Sequence, residues 1–197
     1  MSHRIIRACY DKNAITVYQA FNKQISHSAL EHQTFLSPPF KKERMTWIKP
    51  SFLWMMYRSG WASKINQEHI LAIKIKHSGF LWALENSCLS HFDNNIHKSN
   101  EIWKENLKKA PVRIQWDPEK DILLQPMNYR SIQIGLSGIA VEKYVSDWIV
   151  EIEDITPYCK EIQNLIIDNK IDQAKDLLPQ EIIYPIPQNI KTHINYN

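Results

Sequence analysis

The stretch Phe40-Lys-Lys-Glu-Arg-Met-Thr-Trp-Ile-Lys-Pro-Ser-Phe-Leu-Trp-Met-Met-Tyr-Arg-Ser-Gly-Trp61 is the most informative in the chain. Pro50 fixes its own φ and pushes Lys49 towards an extended conformation, so no helix runs through this point. Ser51 then reads as an N-cap, and Phe52 to Tyr57 continue as a helix that stops near Gly60. That helix is apolar all round, which predicts that it is buried and that other elements cover it.

Candidates for that cover lie on both sides. Ile15-Thr-Val-Tyr-Gln-Ala-Phe21 has the β-branched and aromatic content of a strand, and Asn22 caps a helix with Ile25, Ala29 and Leu30 on one face. His69 to Ile75 alternates as a strand. Val112 to Trp116 and Ser131 to Ile134 are further strands, with Asp117-Pro118 closing the first. Ser137 is expected to open a long helix with Val141, Val145, Trp148, Ile149 and Ile152 on its face. Thr156-Pro157 starts another helix, running to about Asp168. Strands and helices mix without a regular β-α-β-α rhythm, so the expected fold class is α+β, with a split, mostly antiparallel sheet and flanking helices. One domain over residues 1–180 is expected, followed by a partly extended C-terminal tail, 181–197.

Composition removes several function classes. Only four glycines occur among 197 residues, and neither a dinucleotide-binding fingerprint nor a P-loop can be written with them. The three cysteines, Cys9, Cys88 and Cys159, are far apart, which disfavours a disulfide framework or a zinc ribbon. The histidines lack metal-binding spacing, so no metal is expected. No apolar run approaches a membrane span and no secretory leader is visible, so a cytoplasmic protein without membrane contact is expected. Residues 1–76 hold 12 Lys and Arg against 4 Asp and Glu, leaving 12 against 17 for the remainder. The basic first part predicts an anion-seeking surface.

The same central stretch concentrates the chemistry. A helix N-terminus after Pro50 offers free N–H groups to a phosphate, with Thr46, Lys49 and Ser51 around it. Trp47, Trp54 and Trp61 are interleaved with Arg44, Lys49 and Arg58, so aromatic planes for a base lie beside cations for phosphate. Arg58, inside an apolar helix, needs a carboxylate, a carbonyl or a ligand anion. Lys49 is expected to line the main pocket, with Arg58 reaching the same cavity or the wall behind it.

Arg7-Ala-Cys-Tyr10, Val17-Tyr-Gln-Ala20, Arg44 to Trp61, Gln115-Trp-Asp-Pro-Glu119 and Arg130-Ser-Ile-Gln-Ile-Gly-Leu136 resemble the domain-of-unknown-function family numbered 4291, over nearly the whole chain. A second resemblance, in layout only, is to ADP-ribosyltransferases. Val17 to Ala20, the helix after Asn22, Met45 to Lys49, the helix from Ser51 and Ile70 to Ile75 follow the order of their first elements. Gln19 stands where those enzymes have histidine or arginine, and no Gly-Thr follows it.

This second resemblance implies an ADP-ribosyltransferase-like fold and an enzyme that uses NAD, transferring ADP-ribose to a nucleic acid, a nucleotide or a small molecule. Tyr18 and Gln19 would then contact nicotinamide and its ribose. Arg7, Lys49 and Arg58 would neutralise the pyrophosphate, with Thr46 and Ser51 beside them, and Trp47 would wall the pocket. Gln133 or Glu119 would orient the ribose hydroxyl, Glu119 being favoured by chemistry and Gln133 by position. The alternative expectation is a module without catalysis that binds RNA or single-stranded DNA through Arg44, Lys49, Arg58, Trp47 and Trp61.

Overall fold

In the computed structural model, which describes residues 3–197, two sheets carry the architecture. After the short strand β1 (Arg7–Ala8) come β2 (Ala14–Phe21) and helix α1 (Lys23–His32). Asn22 caps α1 as its sequence predicts, accepting a hydrogen bond from the Ile25 amide at 3.1 Å. Strand β3 (Thr46–Ile48) leads through Pro50 into α2 (Phe52–Ser59). Ser51 Oγ accepts from the Trp54 amide at 3.1 Å, and Gly60 ends the helix at φ 60°, a left-handed position suited to a residue without Cβ.

Strand β4 (His69–Lys76), helix α3 (His77–Glu85), strand β5 (Ser87–Leu89) and helix α4 (Asn100–Lys109) follow. Then come β6 (Val112–Lys120), β7 (Pro126–Leu136), α5 (Ile139–Lys143) and, after a π turn at Tyr144–Trp148, β8 (Ile149–Asp154). Helices α6 (Thr156–Ile167) and α7 (Ile171–Asp176), strand β9 (Ile182–Ile183) and helix α8 (Gln188–His193) complete the chain.

One sheet has the order β2-β4-β8 and is antiparallel throughout; the other, β3-β7-β6-β5, is antiparallel except for the β5–β6 pair. β1 and β9 form a separate antiparallel pair. The class is thus α+β. The two larger sheets touch where β2 passes the end of β3: the Tyr18 amide donates to the Lys49 carbonyl at 2.7 Å, and the Lys49 amide to the Tyr18 carbonyl at 3.3 Å.

Strand alternation then sorts the side chains. Ile15, Val17, Leu71, Ile73, Ile114, Ile132 and Ile134 face a common main core. Tyr18, Phe52, Met55, Met56, Trp61, Cys159 and Ile162 form a second core around α2 and α6. The buried, apolar α2 of the sequence reading is therefore covered by its own small core.

Two expectations are corrected. The long helix from Ser137 is a short helix, a π turn and strand β8. Ile149, Val150 and Ile152 satisfy a helical spacing but are β-branched, and Ile152 pairs with Ile73 of β4. Helix propensity gives way to a free sheet edge. Residues 181–197 do not hang off the domain as a tail, because Tyr184, Ile186, Ile190 and Ile194 lie in the main core. Among the described residues, no helix is long and apolar enough to cross a membrane.

Candidate functional site

The face of the β3-β7-β6-β5 sheet turned away from the main core carries Trp47, Lys49, Gln115, Asp117, Gln133 and Gly135, as alternation requires. Helix α2 stands beside it and contributes Trp54, Met55 and Arg58. Between them lies a cavity of about 610 Å³, bordered also by Gln19, Thr46, Asn66 and Gln67. Trp47 and Gly135 are register partners, and a Cβ on Gly135 would stand 2.7 Å from Met45 Sδ and 3.0 Å from the Trp47 ring. The absent side chain is what lets the half-buried indole lie across β7.

Lys49 is 5% exposed. Its Nζ has no hydrogen-bond or ion-pair partner among the described residues; it sits over the Trp54 ring, 5.6 Å from the centroid. Burial, reinforced by the Arg58 charge and opposed by Asp117, pushes the amine down to about 7. Trp54, 7% exposed, has a buried indole N–H without a partner. Buried donors are nearly always satisfied, so the unpartnered indole N–H and the nearby unpartnered amine are both exceptions. Arg58 is exposed at the rim and has no carboxylate; its guanidinium donates only a long bond to Gln67 Oε1, 3.4 Å.

The polar floor is internally organised. Gln115 and Gln133 face each other in register across β6 and β7 and donate to the two oxygens of Asp117, Gln115 at 3.0 Å and Gln133 closer. Gln19 Nε2 donates to Thr46 Oγ1 at 2.7 Å and to the Trp47 carbonyl at 3.1 Å, and its oxygen accepts from the buried Tyr144 hydroxyl at 2.8 Å. Gln19 is therefore a fixed strut between β2 and β3.

Gln19, Thr46, Trp47, Lys49, Arg58 and Gln133, named from sequence, thus come together at one cavity. Tyr18 does not join them. Alternation turns its ring to the other face of β2, where it packs edge-on against Phe52 at 5.6 Å, so it cannot contact a ligand beside Gln19.

Arg7, Ser51 and Glu119 gather elsewhere, at the start of α2. The Phe52 amide donates to Glu181 Oε1 at 2.6 Å, Ser51 Oγ donates to Glu119 Oε1 at 2.9 Å, and Arg7 reaches the Glu181 carbonyl at 2.8 Å. The helix N-terminus expected to hold a phosphate is thus occupied by the protein's own carboxyl groups. The irregular register between Pro118 and Lys120 carries Glu119 out of line with Gln115 and Asp117. Burial raises Glu119, and burial aided by the nearby Glu119 charge raises Glu181 to about 8.

Sequence reasoning missed Gln115 in the cavity lining and Asp117 as the acceptor that Gln115 and Gln133 share. Their signal was the alternation of Val112, Ile114 and Trp116 with Arg113, Gln115 and Asp117. Of the three interleaved tryptophans only Trp47 is partly open, since Trp54 and Trp61 are 7% and 6% exposed. Among the described residues no group of three or more His, Cys, Asp or Glu is placed to hold a metal ion.

The family described as Domain of unknown function (DUF4291) matches residues 5–184. No curated protein matches the sequence.

Proposed function

The chain belongs to the DUF4291 family, whose description assigns no activity, and from the cavity itself we propose that it binds a phosphate-bearing nucleotide, with NAD the first candidate. The observation that carries this reading is the buried, unpartnered Lys49 amine at the same cavity as the exposed Arg58 guanidinium. A phosphate oxygen would accept from the Arg58 guanidinium, which sets the rest of the ligand beside the Lys49 amine. Trp47 offers a partly open aromatic face to a base or nicotinamide ring.

An ADP-ribosyltransferase-like fold is the layout-level part of this proposal. In that reading Glu119 does not reach the ligand, because it faces the Ser51 side. A carboxylate near the anomeric carbon is the group that stabilises developing positive charge there. The nucleic-acid alternative loses support: with Trp54 and Trp61 buried, no row of tryptophans remains for stacking successive bases.

Titration of the intact protein with NAD, ADP-ribose, ATP and adenosine, followed by tryptophan fluorescence, tests the reading. Saturable quenching by a phosphate-bearing compound, absent with adenosine and lost in Lys49→Ala, is expected. A flat response to all four at millimolar concentration overturns it.

A further inference from the structure

Lysines elsewhere in this protein show what an ordinary one looks like. Lys74 reaches Glu151 at 2.7 Å and Lys76 reaches Asp147 at 2.6 Å, both pairs being largely exposed. Lys49 is their opposite: buried, without a carboxylate, and turned to a cavity. Its main chain is bonded to Tyr18 on one side and followed by Pro50 on the other, so the side chain has a fixed origin. The carboxylate whose charge reaches it, Asp117, is engaged by Gln115 and Gln133. Arg58 disfavours a second positive charge there and leaves the amine its lone pair. A lysine desolvated beside another cation is the usual form of an amine activated for attack on carbon.

We propose that Lys49 is a nucleophile that forms an imine with the open-chain aldehyde of a phosphate-bearing sugar. The inference rests on the reading of this cavity as a phosphate site and adds its substrate class. Arg58 holds the phosphate at the rim, and the sugar end lies over Lys49. The Nζ lone pair forms the C–N bond at the aldehyde carbon. The carbonyl oxygen leaves as water with the two amine hydrogens, giving the C=N bond with no change of oxidation state. Hydrolysis reverses the step.

The test incubates the intact protein at pH 7 with ribose 5-phosphate, ADP-ribose or unphosphorylated ribose, with cyanoborohydride present to reduce any imine to a stable secondary amine. Adducts are located by peptide mass mapping. A lysine titrating near neutrality has far more free amine than one at the ordinary value, so labelling of Lys49 about 100-fold faster than of surface lysines is expected. With ribose, which lacks the group that Arg58 would hold, Lys49 should label more slowly than with ribose 5-phosphate, and the two phosphate arms identify whether a sugar phosphate or a dinucleotide fragment fits better. Lys49→Arg should lose the adduct. Should that variant fail to fold, the mapping on the unmodified chain decides alone. Binding of ADP-ribose with Lys49 labelled no faster than surface lysines overturns the nucleophile and leaves the binding reading standing. Neither binding nor labelling overturns both, and equal labelling by ribose overturns the phosphate requirement.

Discussion

Tyr18 and Lys49 exchange a pair of backbone hydrogen bonds, at 2.7 and 3.3 Å, and their side chains leave this bridge in different directions. Tyr18 enters the small core against Phe52, while Lys49 enters the cavity. The contact that joins the two sheets therefore also positions the buried Lys49 side chain. The cavity and the fold share an anchor, which gives substitutions here two separable readouts.

Removing the Lys49 charge should not weaken the fold. Burial of an unpaired amine works against stability, so Lys49→Met, which keeps the chain volume, is expected to melt at the same temperature or higher. The folded-state value of about 7 lies below the ordinary 10.5. Between these values the unfolded chain binds the proton and the folded chain does not, so Lys49 makes stability rise with pH across that window. The gap between wild type and Lys49→Met in urea denaturation should accordingly narrow from pH 7 to pH 10. A variant that unfolds readily would show the lysine to be structural.

Glu181 should act with the opposite sign. Its carboxyl is raised from 4.5 to about 8, so between these values the folded state keeps a proton that the unfolded state has lost. Stability then falls as pH rises through this range. Glu181→Gln retains a carbonyl for the Phe52 N–H and cannot ionise. Its denaturation midpoint should vary less than that of wild type between pH 5 and pH 8.

Gly79 lets α3 lie directly against Trp148. A Cβ there would lie 2.3 to 2.7 Å from ring atoms of the buried Trp148, which has no flexible end to move aside. Gly79→Ala is expected to destabilise by about 1–3 kcal/mol or more, through overpacking. A calorimetric melt within a degree of wild type would contradict this packing.

The C-terminal segment should be indispensable. Ile190 and Ile194 are fully buried in the main core, and the strand pair β1–β9 precedes them. Ile190→Ala should cost about 2–5 kcal/mol in urea denaturation. Deletion of residues 185–197 should leave a chain without a cooperative transition.

How much of this was legible in the sequence follows from how far each cause reaches. Ser51, Pro50 and Gly60 act within one turn, so the bounds of α2 and the extended Lys49 could be read locally. The approach of Lys49, Arg58, Trp47 and Gln133 could be anticipated because three of them flank one helix. Glu181 could not, since it meets the Phe52 amide across 129 positions, and no local pattern signals such a contact. Glu119 was misplaced for a related reason: a register shift at Pro118 alters which face a strand residue takes. The segment Ile149 to Ile152 fits two periodicities, and only the neighbouring β4 decides between them.

The central claim is that the cavity between β3, β7 and α2 takes a phosphate-bearing nucleotide. A crystal structure of the protein grown with millimolar NAD or ADP-ribose tests it most directly. Phosphate density within hydrogen-bonding distance of the Arg58 guanidinium is expected, with the ligand beside Lys49 Nζ and an aromatic ring over Trp47. An empty cavity, or ligand bound instead beside Ser51 and Glu181, would contradict it.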